Sequence, residues 1–400
     1  MDYVKGRPFF CIDTNILKSF PYLDKDVESD ILIIGCGIDG AIANFYLSQN
    51  FDVITVDSSK IGFCCTSCAT ALLEYQLDDF AEDLKEIMSE SEIVDAYKMG
   101  LYAIEKIEGF VKEFGNHCNF AKRPSLMYTP NIFNSKKLEK EFDFRVKNGF
   151  NCELITKENN PFPFKIKTGI FCQDGGAELD PYLFTKQLIE NSKNQDKIFE
   201  NTKIKEIEKT SDGFLAKTHF GPTIKCKKII IATGFNWEVI NKTNLCERTI
   251  TYSLVTKPLK NFSWHQKTLI QDANSPYHYL RLLPNNRIII GGEDTVFNEN
   301  GIDEKLAQKK YKKLEKHLYK LFPNIKDQIE IEFKFCGSFG STDNNLGLMG
   351  KSEDEDILYF ISCGANGILN AMYSVEILED ILKNRKNRLE KLFSPLRQNI

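Results

Sequence analysis

Asp30-Ile-Leu-Ile-Ile-Gly35-Cys-Gly37-Ile-Asp-Gly40 is the stretch on which the fold turns. The β-branched run before Gly35 suits a strand buried on both faces of a parallel sheet. Residues 41–49 read as a helix and residues 51–57 as a second strand, which makes a βαβ unit. The glycine spacing has a reason at each position. Gly35 allows a tight turn, Gly37 lets a pyrophosphate touch the backbone, and Gly40 lets the helix pack on the strand. With Ile38 they place backbone N–H groups and a helix N-terminus at one point, which suits phosphate. Asp57 lies 17 positions beyond Gly40 (57 − 40) at the tip of the second strand. An acid there accepts hydrogen bonds from the ribose hydroxyls of an adenine dinucleotide and disfavours a 2′-phosphate, which argues against NADP. The glycines alone would also serve a plain strand-to-helix turn; the flanking strands and the acid favour the nucleotide. Asp39 is unusual. An acid suits the first helical turn but not a nearby pyrophosphate, so its side chain is expected to point away from the ligand.

The 400-residue chain as a whole is of ordinary globular composition, with 42% hydrophobic and 27% charged residues. Its length points to more than one domain. A net charge of −4 offers no field for nucleic acid. Residues 1–10 lack the apolar core of a signal peptide, and no apolar run approaches the roughly 20 residues needed to span a bilayer. The expectation is a cytoplasmic protein whose 12 cysteines are mostly reduced.

Further along, Tyr97, Leu101, Ile104, Ile107, Val111 and Phe114 form one helical stripe. Residues 126–129 and 169–173 read as strands. Residues 180–191 read as a helix with Asp180 as cap and Pro181 at its first position. Short strands are expected at 203–209, 214–218, 223–225 and 228–232, then at 249–256, 277–283 and 287–291. A helix stops at Pro323, a late strand covers 357–362, and Gly364-Ala-Asn-Gly367 opens a last helix.

Three of these segments carry a family resemblance. Ile229-Ile-Ile-Ala-Thr-Gly234 resembles the late strand and turn of flavoproteins with two dinucleotide-binding folds. Gly175-Gly-Ala-Glu-Leu-Asp-Pro181 resembles the segment that re-enters the FAD domain in the D-amino-acid oxidase-like superfamily, which includes glycine and sarcosine oxidases and D-amino-acid dehydrogenases. Gly337-Ser-Phe-Gly-Ser-Thr-Asp343 to Gly350, with Gly364–Ile368, is similar to that superfamily's C-terminal FAD signature. The resemblance spans about residues 30–382. It implies an α/β fold: a Rossmann-type FAD domain (28–80, 175–240 and 336–385) with an inserted mixed-sheet α+β substrate domain (81–174 and 241–335). Residues 1–27 would then be a lead-in and 386–400 a tail. It places Asp57 and Ser58 at the adenosine ribose, Gly62, Ser67 and Thr70 in the loop around pyrophosphate and flavin, and Ile204 on the adenine side. Thr233 and Gly234 fall near the adenosine half, and Gly364, Ala365, Asn366, Gly367 and Ile368 against the isoalloxazine ring. A helix N-terminus there stabilises negative charge on the reduced flavin.

The implied activity is hydride removal from the carbon beside the nitrogen of a small amine or amino-acid-like substrate, with oxygen or a quinone as acceptor. The chain departs from its relatives where they clamp a carboxylate: Phe339 and Asn366 stand where Arg is expected, and Leu369 where Lys is expected. That argues against a simple α-amino acid. In Tyr277-His-Tyr-Leu-Arg281, alternation puts Tyr277, Tyr279 and Arg281 on one face. Arg281 is the candidate for a bidentate carboxylate contact, unless this is a solvated strand face. Tyr279 and Tyr252 are further pocket candidates, and His278 reads as packed on the opposite face. Cys64, Cys65 and Cys68 are either a redox-active group or buried thiols. Cys336 lies one residue off the position used for covalent attachment in some relatives, so FAD is expected to be non-covalent. No metal-ligand spacing stands out. The competing reading is a flavin-binding redox sensor or partner module without amine-oxidising activity.

Overall fold

The computed structural model describes residues 3–11, 18–235, 245–297 and 301–399. Its first sheet has eight strands, in the order β17 (Leu348–Lys351), β18 (Ile357–Ile361), β11 (Thr223–Ile231), β2 (Val27–Ile34), β3 (Val53–Val56) and β8 (Ile198–Phe199). From β18 to β8 the pairing is parallel. The antiparallel pair β9 (Ile204–Thr210) and β10 (Gly213–Thr218) hangs from β11. Strand β2 is buried on both sides, as its run of branched residues requires. Ile31 and Ile33 face a core shared with α1 (Ile38–Leu47), α4 (Glu90–Phe114), α6 (Pro181–Glu190) and α8 (Gly367–Leu382), while Leu32 and Ile34 face a second cluster with Phe214 and Ile224. Asp180 caps α6 by accepting from the Leu183 N–H at 2.9 Å.

The second sheet has ten strands. Its order is β1 (Val4–Gly6), β16 (Ile331–Ser341), β12 (Glu247–Thr256), β15 (Arg287–Val296), β14 (His278–Leu283), β13 (Leu269–Asp272), β5 (Ala121–Thr129), β7 (Thr168–Glu178) and β4 (Leu72–Glu74), with β6 (Glu153–Ile155) beside β7. One face packs on α7 (Glu304–Leu321) through Ala307, Tyr311, Leu314 and Leu318. Short helices α2 (Cys65–Cys68), α3 (Ala81–Leu84), α5 (Ser135–Lys147) and α9 (Glu390–Phe393) complete the elements. None of the described helices is long and apolar enough to cross a membrane.

Three elements differ from the sequence reading for physical reasons. Residues 223–231 form one strand, not two. Lys225 and Lys227 do not interrupt it, because each pairs laterally with an acid of neighbouring β2, Glu28 at 3.8 Å and Asp30 at 2.7 Å. Strand β7 runs on through Gly175 and Gly176, with a bulge in its pairing to β5 between Arg123 and Ser125. Pro124 at that point has no N–H to give the ladder. The terminal segments are also built in. Residues 4–6 add an edge strand, Phe10, Phe20 and Leu23 are buried, and so is Phe393 near the C-terminus. The expected boundary at 240/241 lies outside the described residues.

Candidate functional site

A cavity of about 750 Å³ lies between the two sheets. One end is walled by Gly35, Gly37, Ile38, Asp57, Ser58, Ile204, Thr233 and Gly234, all expected there. Gly35 turns the chain at φ +101°, and a Cβ on Gly40 would stand 1.9 Å from the Gly35 carbonyl oxygen, so Gly40 supports the turn from behind the wall. Asp57 accepts from the Cys36 N–H at 2.7 Å and the Ser59 N–H at 2.8 Å, which fixes its carboxylate beside the turn; burial pushes its pKa up. Gly37, the residue before α1, makes no side-chain cap; the Ile38 N–H donates to the Thr66 hydroxyl at 3.0 Å, and the first turn of α1 carries Asp39.

Asp39 accepts from the Ser362 hydroxyl at 2.6 Å and the Ser362 N–H at 3.0 Å. It ties the start of α1 to the end of β18 even though it also borders the cavity, and burial pushes its pKa up to about 6. Thr70 lines the cavity, whereas Ser67 does not: its hydroxyl donates to the Cys64 carbonyl at 2.7 Å and closes the turn of α2.

The other end is formed by Gly364, Ala365, Asn366, Gly367 and Ile368 at the start of α8, which again has no side-chain cap. Asn366 docks strand β4. Its Oδ1 accepts from the Glu74 N–H at 3.3 Å and its Nδ2 donates to the Gln76 carbonyl at 2.7 Å. The Ala365 N–H donates to Asp78 at 2.8 Å. Two helix N-termini, a fixed acid and the glycine turn on one set of walls together fit an adenine dinucleotide.

The remaining wall belongs to the second sheet. Tyr277 and Tyr279 stand with ring centroids 5.7 Å apart, and the Tyr279 hydroxyl meets Thr251 at 2.8 Å. Both rings and Thr251 line the cavity, with Gln271 beside them. Arg281 shares their face but does not reach the cavity. Its Nε donates to the Thr70 carbonyl at 2.8 Å, Nη2 to the Leu179 carbonyl at 2.7 Å, and Nη1 to Glu178 at 3.2 Å. The guanidinium therefore fastens the cavity loop to the end of β7, and the sequence expectation of a carboxylate clamp does not fit its position. Tyr252 is likewise outside. In register it lies opposite Gly292, as does His278, so it shares the His278 face and packs on Tyr311 of α7 with centroids 6.0 Å apart.

Two acids went unremarked in the sequence. Glu74 and Asp78 both line the cavity. Leu73 and Tyr75 point into the helical core, so alternation turns Glu74 the other way. Its Oε1 is buried without a hydrogen-bond partner, and burial pushes its pKa up to about 7. The signal was present in Leu72-Leu73-Glu74-Tyr75, an acid inside a short apolar run.

Cys64, Cys65 and Cys68 line the cavity as free thiols, with Cys64 and Cys65 Sγ atoms 3.8 Å apart. Cys336 is buried behind the wall, its thiol facing the Lys5 carbonyl. On the far face of the second sheet Asp272, His278 and His317 bring ligand-type atoms within 4.8 Å of one another, a grouping the sequence spacing did not reveal. His278 Nδ1 and Asp272 already meet at 2.9 Å.

The chain is 24% identical over 392 residues to YhfW of Bacillus subtilis (strain 168), a protein named for a Rieske 2Fe-2S centre; the match covers 95% of this chain and 74% of that one. A Rieske centre takes two His and two Cys ligands, and no such group occurs among the described residues. Glycine oxidase from Geobacillus kaustophilus superposes with a TM-score of 0.78 at 16% identity, covering 92% of this chain and 99% of the other. L-proline dehydrogenase from P. horikoshii superposes with a TM-score of 0.77 at 18% identity, covering 94% and 98%. At these identities the two structures speak for the fold: a Rossmann-type α/β sheet with a mixed-sheet partner. The FAD-dependent oxidoreductase (DAO) family model matches residues 30–381, and the chain belongs to that family.

Proposed function

We propose that the protein oxidises a small amine or amino-acid-like substrate at the carbon beside its nitrogen, using non-covalent FAD. The observation that carries this reading is the single cavity wall that runs from the Gly35–Gly40 turn to the α8 N-terminus and then to the Tyr277/Tyr279 face. Bound FAD supplies a two-electron acceptor: the substrate nitrogen loses a proton, its neighbouring carbon loses hydride, and a C=N bond forms. The chain's part is to hold and orient. The first turns of α1 and α8 offer N–H donors, Asp57 fixes the adenosine end, and the tyrosine face holds the amine over the ring end. Glycine oxidase and L-proline dehydrogenase, by their names, act on such compounds. Cys336 behind the wall supports non-covalent binding, and twelve free cysteines support a cytoplasmic location.

The test is anaerobic titration of the purified yellow protein with a panel of amines and amino acids. Bleaching of the visible flavin band by at least one compound is expected. Acid precipitation should release all the flavin into the supernatant. A protein that holds FAD yet is bleached by none of a broad panel would refute amine oxidation and favour the redox-sensor reading. Oxygen uptake set against quinone-dye reduction then separates oxidase from dehydrogenase.

A further inference from the structure

We infer that the substrate end of the cavity selects an amine cation that carries no carboxylate, with Glu74 as its counter-ion. The inference rests on the proposed amine oxidation and narrows it. Glu74 is 5% exposed, faces the cavity, and has one carboxylate oxygen with no partner. Asp78 lines the same wall, and Asp294 lies behind it against Thr251 and Tyr277, with its own Oδ1 buried and unpartnered. Two tyrosine rings complete this end, and ring faces attract ammonium groups.

The cations are elsewhere. Among the described residues that line the cavity, the basic side chains are Lys203, Lys205 and His219. They sit beside Ile204 and Thr202, and the Thr202 N–H donates to the Asp57 carbonyl at 2.7 Å, which puts them at the nucleotide end. Arg281 is spent on Glu178 and two carbonyls. Arg145, whose charge acts on Glu74, is 1% exposed and does not line the cavity; its Nε pairs with Glu141 at 2.8 Å, and its Nη2 is buried without a partner. A substrate carboxylate would therefore meet acids without a cation to receive it, whereas an ammonium would fill an empty acceptor.

The experiment uses the FAD-loaded protein and matched pairs that differ only in the carboxylate: pyrrolidine against proline, and 1,4-diaminobutane against ornithine. Anaerobic bleaching should favour the carboxylate-free member of each pair by about tenfold or more in rate over affinity. Binding is read separately from the shift of the oxidised flavin spectrum on adding tetramethylammonium, which cannot be oxidised, or propionate. Tetramethylammonium should bind and propionate should not. Glu74→Gln should weaken tetramethylammonium about tenfold with unchanged FAD content, and Glu74→Asp should recover part of the loss. Amino acids that bleach as well as their partners, or propionate binding as tightly as tetramethylammonium, would overturn the inference. Cation binding that depends on Glu74, with no compound bleaching the flavin, would uphold this pocket preference and overturn the amine-oxidation reading instead.

Discussion

Asp39→Asn is the substitution whose effect the structure sizes most directly. Burial raises the Asp39 carboxyl from 3.8 to about 6, against two opposing hydrogen bonds from Ser362. At ~1.36 kcal/mol per pH unit, that difference is worth about 3 kcal/mol. The folded state binds the proton more tightly than the unfolded chain does. The resulting stabilisation is full below pH 3.8 and is lost as pH rises through about 6. At higher pH the wild type carries a buried charge. Asparagine never takes that charge. It can still accept from the Ser362 N–H and donate to the Ser362 hydroxyl, at a cost of about 1 kcal/mol for weaker bonds. The variant should be about as stable as wild type near pH 4.5 and more stable by about 2 kcal/mol near pH 8, a difference that grows with pH by linkage. FAD affinity should rise with it at the higher pH, because a negative charge has left the first turn of α1. Urea denaturation of the FAD-stripped proteins at about pH 5, 6.5 and 8 reads the effect. A stability difference that stays flat across this range, or a variant less stable than wild type at the top of it, would refute the reasoning.

Arg281→Gln takes a buried guanidinium from two carbonyls and from Glu178, which keeps Arg123 at 2.7 Å, so it should lower stability by about 2–3 kcal/mol and reduce FAD retention; a variant that folds normally and only loses affinity for carboxylates would restore Arg281 as a clamp. Tyr252→Phe breaks one hydrogen bond to Thr295 at 2.9 Å, on the α7 side of the sheet. It should cost about 1 kcal/mol in thermal or urea unfolding and leave turnover unchanged. Burial pushes the Glu74 carboxyl up to about 7, with Gln76 and Asp78 nearby on its own chain segment and Arg145 of α5 and Cys172 of β7 around it. A bound cation favours its charged form, so tetramethylammonium affinity should rise about tenfold from pH 6 to pH 8 and lose that slope in Glu74→Gln.

The nucleotide end was legible because its signals are local. A turn that needs Gly35, a helix that cannot pack unless residue 40 lacks a Cβ, and an acid at the next strand tip are all fixed within one βαβ unit. The substrate end was not, because its identity depends on register between strands far apart in sequence. Alternation in β14 correctly grouped Tyr277, Tyr279 and Arg281 on one face. It did not show that Arg281, one pleat further on, meets Glu178 and the Leu179 carbonyl at the end of β7. Nor did it show that Tyr252 stands opposite Gly292, on the same side as His278.

Asn366 shows how these two levels join. Its side chain spends both ends on β4, holding the Glu74 N–H and the Gln76 carbonyl. An arginine in its place would present a cation to the cavity and leave that strand undocked. Asn366, where the sequence reading looks for Arg, presents no positive charge and bonds the backbone on both sides of an acid-bearing segment that lines the cavity. Loss of the anchor does not by itself empty the site of recognition; the same substitution that argues against an amino-acid substrate positions the group that would hold a different amine.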